Sequence, residues 1–181
     1  MLALHQDVQE KVIQELEYVF DSIDQVTDND MLNNLPYLEM VIKETMRFFP
    51  IAAFLGREAT KDIKLKSCTI PAGANILINM LKVHRNPIYW SDDAHLFNPD
   101  RFMPENISKI HPYAYLPFSK GIRNCIGIKY AMNVMKVILT HILRNYKVTT
   151  SLKLEDLECK MSLTLQVVQG YMIKLEKRVF K

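Results

Sequence analysis

A strong helical pattern that follows directly on a long irregular segment constrains the fold of this chain more than any other feature. After Gly127 apolar residues recur at helical spacing, and their predicted buried face comprises Ala131, Val134, Ile138, Leu139, Ile142 and Leu143. The preceding segment, 98–124, lacks apolar periodicity and carries prolines at positions 99, 104, 112 and 117. Irregular segments of this length are uncommon in compact domains and are usually functional. The junction at 121–127 is therefore the first candidate for chemistry.

Two further helices are predicted before any strand. The first has apolar residues at helical spacing, namely Val8, Val12, Ile13, Leu16, Val19 and Phe20. After an acidic connection at 21–30, Pro36 begins the second helix and Pro50 ends it. Proline is accepted in the first turn of a helix but not in its interior. The side of this helix predicted to be buried comprises Leu38, Val41, Ile42 and Thr45.

Strand signals lie in two regions. Ile63 and Leu65 alternate with lysines, 71–73 is typical of a turn, and 75–81 is a short apolar run, which together predict a small hairpin. A short helix is predicted at 87–95. Near the end of the chain, alternating apolar residues around Gln169 and Gly170 predict a second hairpin.

Composition narrows the class of protein. The 181 residues are 49% hydrophobic and 24% charged, which suits one globular unit. Apolar runs are too short for a membrane helix, and a net charge of +3 spread along the chain does not indicate a nucleic-acid partner. Three scattered cysteines form neither a disulfide framework nor a zinc motif. Met1 leads straight into a helix pattern, so we expect the chain to be a piece of a longer protein.

Cys125 is the residue whose surroundings most favour chemistry. It is predicted at a helix N-terminus, where free N–H groups and the helix dipole favour a thiolate, and Arg123 lies two residues away. A thiolate is a nucleophile or a metal ligand. Gly121 and Gly127 remove side chains where the backbone turns or where a flat group approaches, and Phe118 offers an apolar wall. The alternative is that Cys125 is a small buried hydrophobic residue.

The run 118–127, Phe-Ser-Lys-Gly-Ile-Arg-Asn-Cys-Ile-Gly, resembles the F-x-x-G-x-R-x-C-x-G haem-binding loop of the cytochromes P450 at all five specified positions. Two further motifs follow the order of that family. Residues 44–47, Glu-Thr-Met-Arg, resemble its E-x-x-R helix, and 97–102 resemble its P-E-R-F segment, with Asp100 in place of glutamate. The sequence around these motifs is similar to that of eukaryotic microsomal members of the family, among them fatty-acid hydroxylases and many insect enzymes.

This resemblance implies a haem-thiolate monooxygenase. Cys125 would be the axial ligand of the iron in haem b (iron protoporphyrin IX), and Phe118, Gly121 and Gly127 would complete the haem-binding loop. Arg123 would pair with a haem propionate, and Arg57, by its position, would do the same. Electrons from NADPH would arrive through NADPH–cytochrome P450 reductase, and one atom of O2 would enter a lipophilic small molecule. Lys120, Arg123 and Lys129 would offer a basic patch to an acidic electron donor.

The E-x-x-R helix has a structural role in this family. The resemblance implies that Glu44 and Arg47 form a buried cluster with Arg101 and hold the long loop against the helix. The alternative is an exposed pair, which on a helix surface contributes only about 0.2–0.5 kcal/mol.

Two segments resemble the parts of the family fold that line the substrate pocket. The first comprises Ile51, Ala52, Ala53, Phe54 and Leu55, and the second is the turn from Leu163 to Val168, which includes Thr164 and Leu165. Both are largely apolar, which favours a lipophilic substrate. Their alternative role is in the plain hydrophobic core. The five histidines, Cys68 and Cys159 are expected to be ordinary surface or core residues.

The resemblance also implies a fold class and a context. The fold would be mainly α with small antiparallel β-sheets, with 1–181 a single partial domain from the C-terminal part of the cytochrome P450 fold. The complete protein would lie at the cytoplasmic face of the endoplasmic reticulum membrane, held by an N-terminal anchor outside this chain. The chain alone would be inactive. The sequence is also compatible with two other functions, a non-catalytic haem-binding module and an enzyme with Cys125 as nucleophile.

Overall fold

Seven α-helices and eight short strands occur in the part of the chain that the computed structural model describes, residues 1–162 and 164–180. The helices are α1 (Gln6–Val19), α2 (Asn29–Asn33), α3 (Pro36–Phe48), α4 (Met80–His84), α5 (Pro87–Trp90), α6 (Pro104–Ile107) and α7 (Ile128–Asn145). Short 3-10 helices occupy Pro99–Phe102 and Leu154–Asp156. The strands are β1 (Phe54–Glu58), β2 (Ile63–Lys64), β3 (Thr69–Ile70), β4 (Asn75–Asn79), β5 (Tyr146–Thr149), β6 (Cys159–Met161), β7 (Leu165–Val167) and β8 (Lys174–Lys177). A mainly α fold with small antiparallel sheets is thus confirmed.

The strands pair as four antiparallel ladders, in the orders β1–β4, β2–β3, β5–β8 and β6–β7. Both predicted hairpins are wrong in their pairing. The run after the turn at 71–73 pairs with β1, so that Phe54 opposes Asn79, while Ile63 opposes Ile70. Similarly, the two strands that flank Gly170 do not pair with each other, because β7 pairs with β6 and β8 pairs with β5.

Helices α1, α3 and α7 pack together around the main hydrophobic core, whose buried members include Val12, Leu16, Leu38, Val41 and Leu143. Helices α1 and α3 follow the predicted spacing closely. The connection at 21–30 runs into α2, which the sequence did not predict, and the helix predicted at 87–95 ends at Trp90. A second, smaller core, formed by Trp90, Ala94, Phe102 and Ala114, joins the long loop to the residues before it.

Helix α7 is rotated relative to the predicted face. Ile138, predicted to be buried, is 52% exposed, whereas Lys136 and Arg144 are buried. The Nζ of Lys136 bonds a Glu39 carboxylate oxygen at 2.7 Å and the Leu32 carbonyl at 2.9 Å, and the guanidinium of Arg144 bonds the carbonyls of residues 22 and 25. Because both cations have hydrogen-bond partners on the packed side of the helix, burying them costs less free energy than burying an unpaired charge.

The position of α3 is fixed by a side chain of α1. The Glu15 carboxylate accepts hydrogen bonds from the backbone N–H groups of Tyr37 at 2.6 Å and Leu38 at 2.8 Å, which lie in the first turn of α3. An anion at this end of a helix also interacts favourably with the helix dipole. Helix α3 has no side-chain cap of its own, so Glu15 supplies it.

Among the described residues no helix is long and apolar enough to cross a membrane.

Candidate functional site

The cysteine loop, residues 118–127, is closed by its own backbone. The N–H of Cys125 donates to the carbonyl of Phe118 at 2.9 Å, and the N–H of Asn124 donates to the carbonyl of Gly121 at 3.1 Å. Ser119 and Gly121 have φ values of 62° and 83°, in the left-handed region. Glycine adopts this conformation without steric cost, so the turn accounts for Gly121. The loop therefore presents Cys125 from a defined turn, and Phe118 anchors it by packing against the main core.

Cys125 lies on the surface, just before α7 begins. Gly127 is the N-cap of α7, so the cysteine precedes the cap by two residues. Two isoleucines of the same loop, Ile122 and Ile126, are also fully exposed to solvent. The loop thus exposes a thiol and two isoleucines, and exposed apolar side chains are poorly solvated by water.

The turn that accounts for Gly121 does not account for glycine at position 127. Its φ of −88° is open to any residue, and a Cβ there would meet only the Cys125 Sγ, at an ordinary 3.8 Å. Neither backbone strain nor protein packing requires glycine at this position. Without a side chain, Gly127 leaves room beside the sulfur, which fits the predicted close approach of a flat group. The predicted tight turn applies to Gly121.

This surface fits haem. An accessible cysteine sulfur can ligate iron, the exposed isoleucines match the apolar face of the macrocycle, and the bare Gly127 leaves space for a flat ring. Among the described residues, no three His, Cys, Asp or Glu side chains cluster closely enough to bind a metal ion by themselves. An iron that arrives already held by a porphyrin needs a single protein ligand on this side, and Cys125 can supply it.

Two arginines lie at the loop. Arg57, on β1, donates from Nη2 to the Ser119 hydroxyl at 3.0 Å and from Nη1 to the Gly56 carbonyl at 2.8 Å. Arg123 is within the loop, and both side chains are exposed. The structure thus brings Arg57 to the loop from 62 residues away, where its guanidinium can bind an anionic group.

The Glu44–Arg47 pair is fully buried, with both side chains 0% exposed. Arg47 meets the carboxylate with two hydrogen bonds, from Nε at 2.6 Å and from Nη2 at 2.8 Å. Its remaining N–H groups bond the carbonyls of His84 at 2.9 Å, Ala94 at 2.9 Å and Leu96 at 3.0 Å. All five guanidinium donors are therefore satisfied. The pair fastens α3 to the segment before the long loop.

Arg101 joins this cluster through its charge, which lies near Glu44, and through hydrogen bonds to the stretch of backbone that Arg47 also contacts. Its Nε lies 3.8 Å from a Glu44 oxygen, an ion-pair distance that is too long for a hydrogen bond. It donates instead to the Trp90 carbonyl at 2.9 Å and to Asp93, at its carbonyl and at its carboxylate 2.7 Å away. The same Glu44 oxygen accepts the Asn98 N–H at 2.8 Å. The three predicted residues thus lie together, but direct hydrogen bonds join only Glu44 and Arg47.

The two predicted substrate segments meet at one hydrogen bond, from the Leu165 N–H to the Ile51 carbonyl at 2.9 Å. Both residues line a cavity of about 280 Å³, whose other apolar lining residues include Leu4, Phe49, Leu152, Leu157, Val167 and Ile173. Gln166 and Val167 of the second predicted segment line it as well, whereas the other described residues of the two segments do not. Ala53 is buried in the protein, Ala52 and Phe54 are exposed, and Leu55 and Thr164 are half-buried. Leu163 lies outside the described residues.

His84 is a residue whose setting the sequence did not reveal. Its ring is fully buried, and Nε2 accepts the backbone N–H of Leu116 at 2.8 Å. Burial, and then the positive charge of Arg47, lower the pKa of His84 from 6.5 to about 4. The contact spans 32 residues of sequence, so no local pattern could have indicated it.

A pH dependence of stability follows from His84. As the pH falls below 6.5 the unfolded chain binds a proton at this histidine, while the folded chain resists protonation until about pH 4. The stabilisation is therefore complete above pH 6.5 and declines by roughly 3 kcal/mol between pH 6.5 and 4, at about 1.4 kcal/mol per pKa unit. Urea unfolding across this window checks the prediction. His84→Gln should have a shallower slope, and an unchanged slope would contradict the assignment.

The remaining predicted residues are on the surface. Lys120 and Lys129 are exposed, as is Arg123, so the predicted basic patch is accessible. Cys68 and Cys159 are exposed free cysteines, and Cys159 lines the cavity beside Leu165.

Comparison with known proteins matches this geometry to a family. The family model for cytochrome P450 matches residues 1–175. The chain is 45% identical over 181 residues to a probable cytochrome P450 313a1 of Drosophila melanogaster, covering 98% of this chain and 37% of that protein. It is 40% identical over 177 residues to cytochrome P450 4c21 of Blattella germanica, covering 98% of this chain and 35% of that protein. The chain thus spans about a third of the length of these curated relatives. By these matches, the chain belongs to the cytochrome P450 family.

Proposed function

We propose that this chain supplies the haem-thiolate site of a monooxygenase that inserts one oxygen atom from O2 into a lipophilic small molecule. The observation that carries the proposal is the exposed Cys125 on a loop that is closed by the Cys125 N–H and that also exposes Ile122 and Ile126 fully. Membership of the cytochrome P450 family supports the same chemistry.

The residues of the loop have distinct tasks in this proposal. The Cys125 thiolate would bind the iron of haem b, and the exposed Ile122 and Ile126 side chains would supply apolar contacts to the bound group. Arg123 and Arg57 bind the propionates by charge-assisted hydrogen bonds. Haem held in this way supplies the iron at which dioxygen is activated, and a thiolate ligand favours cleavage of its O–O bond.

Replacing Cys125 with alanine tests the ligand. The full-length protein that contains this chain should show a strongly red-shifted Soret band in its reduced carbon monoxide complex, as thiolate ligation produces. Cys125→Ala should abolish that band, because no sulfur remains beside the iron, and difference spectroscopy checks the prediction. The matched controls are Cys68→Ala and Cys159→Ala, at the two other exposed cysteines, which should keep the band. A red-shifted band that survives in Cys125→Ala would refute the assignment.

We propose a neutral, lipophilic substrate, since the cavity that Ile51 and Leu165 share is lined mainly by apolar side chains. Leu165→Arg places a charge in that lining and should weaken binding of a neutral probe such as radiolabelled dodecanol by about tenfold or more. Equilibrium dialysis with the full-length protein measures this. Val168→Arg is the control, because Val168 is exposed and does not line the cavity. Equal losses in both variants would contradict a substrate site here.

The electron donor and location are part of the same proposal. Electrons come from NADPH through NADPH–cytochrome P450 reductase, which docks at the exposed basic residues Lys120, Arg123 and Lys129. The complete protein resides at the cytoplasmic face of the endoplasmic reticulum membrane, as the resemblance to microsomal members suggests. Cell fractionation of a tagged full-length protein tests the location, and recovery with cytosolic markers would contradict it.

A further inference from the structure

The backbone segment that leads into the cysteine loop is held by a buried histidine. The N–H of Leu116 donates to the Nε2 of His84 at 2.8 Å, and His84 is 0% exposed. To accept this bond, Nε2 must carry no proton, so the ring is neutral with its proton on Nδ1.

Two backbone hydrogen bonds connect the segment after Leu116 to the cysteine. The Leu116 carbonyl accepts the N–H of Ser119 at 3.1 Å, and the Phe118 carbonyl accepts the N–H of Cys125 at 2.9 Å. Leu116 is thus the residue at which the turn of the loop starts. Its amide has a partner in the buried ring rather than in water.

His84 is held on its other side by the Glu44–Arg47 pair. Its own carbonyl accepts a hydrogen bond from Nη1 of Arg47 at 2.9 Å. The ring packs against Tyr115, with 5.4 Å between ring centroids, and the Tyr115 hydroxyl donates to the Lys43 carbonyl in α3 at 2.9 Å. His84 therefore bridges α3 and the segment that begins the loop.

We propose that His84 is a positioning residue for the cysteine loop: its buried, neutral Nε2 holds the Leu116 amide and thereby fixes the loop, and with it Cys125, relative to α3. The functional meaning of this position rests on the proposed haem site. Burial and the nearby Arg47 disfavour the protonated ring, in keeping with a permanent acceptor. The charged and titratable groups that face it are Arg47 and Tyr115.

Amide hydrogen exchange of the haem-free, 181-residue chain tests the proposal. His84→Phe keeps a flat ring but removes the acceptor, and His84→Gln offers an amide oxygen near the place of Nε2. His141→Phe is the matched control, since His141 is exposed on α7. The amides followed are those of Leu116 and Cys125, with amides of α1 as the reference for global stability.

His84→Phe should raise exchange at Leu116 and Cys125 by about tenfold relative to the α1 amides, as expected for a buried N–H that loses its partner. His84→Gln should restore protection, and His141→Phe should leave it unchanged. Equal acceleration in the Phe and Gln variants, or none in the Phe variant, would overturn the proposal.

Should His84→Phe fail to fold, exchange in α1 will rise as well, and two other measurements decide. In the unaltered chain, NMR should show an unprotonated Nε2 with a scalar coupling across the hydrogen bond to the Leu116 nitrogen. His84→Gln should fold with protected loop amides. A protonated Nε2, or a folded Gln variant with a rapidly exchanging loop, would refute the proposal. Because these measurements need no haem, they separate it from the haem function, which the Cys125→Ala spectrum tests.

Discussion

Replacing Arg47 with alanine is expected to lower the free energy of unfolding by about 3–5 kcal/mol, the usual result of breaking one partner out of a buried ion pair. The change leaves the Glu44 carboxylate buried with the Asn98 N–H as its remaining short contact and Arg101 at 3.8 Å. It also removes the donor from the carbonyls of His84, Ala94 and Leu96. Denaturant unfolding followed by circular dichroism measures the loss.

The matched control for Arg47→Ala is Lys43→Ala on the same helix. Lys43 pairs with Glu39 at 2.6 Å, and about a third of each side chain is exposed to solvent. Such partly exposed pairs contribute about 0.2–1 kcal/mol, so this variant should stay close to the unaltered chain. Equal losses in both variants would mean that the buried Arg47 pair contributes no more to the free energy of unfolding than a partly exposed pair.

The Arg47→Ala variant also distinguishes a structural role of Arg47 from a catalytic one. In the full-length protein, Arg47→Ala should reduce haem retention and yield together, because the pair holds the segment from which the cysteine loop continues. A variant that keeps its stability and its haem but loses turnover would indicate instead that Arg47 takes part in the reaction.

Helices α1 and α3 could be predicted because their information is local. Apolar residues three and four apart share a helix face, and Pro36 and Pro50 mark the limits of α3. The strands could not be paired in the same way. Strand β1 contains Gly56, Arg57 and Glu58, so it lacks the alternation that marks a strand, and it pairs with β4 across a long connection. Pairing at that distance depends on tertiary packing, which propensity does not encode.

The rotation of α7 shows a second limit of pattern reading. The apolar residues of this helix extend around more than one face, so periodicity alone does not select the buried side. Lys136 and Arg144 decide it, because each finds partners in α2, α3 or the connection after α1. A buried cation with partners is indistinguishable in sequence from an exposed one.

The candidate site was predictable where one motif contains it. The loop from Phe118 to Gly127 is contiguous, so its residues could be named together, and the spacing of Glu44 and Arg47 places both on one face of a helix. Contacts between motifs were partly hidden. Family resemblance alone assigned Arg57 to the site, as a partner of a haem propionate, and nothing predicted its contact with Ser119 or the bond between His84 and Leu116.

The 181-residue chain alone is expected to yield no oxygenated product when supplied with haem, reductase and NADPH. The described residues place Cys125, Ile122 and Ile126 on an open surface, and both isoleucines are fully exposed. A haem bound to that surface would have protein on the cysteine side, and its other face would be open to water. Oxygen chemistry needs a site from which water is excluded, because exclusion prevents side reactions and strengthens electrostatic control.

Product analysis with a panel of neutral lipophilic compounds tests this expectation, with the full-length protein as the positive control. The chain alone should still bind haem through Cys125, so a red-shifted carbon monoxide band without product is the expected pattern, and Cys125→Ala should lack even the band. NADPH consumption without product would show that electrons arrive but are lost to solvent-exposed oxygen. Substrate-dependent product, coupled to NADPH use, would refute the expectation, because it would mean that the open side of the haem needs no further protein.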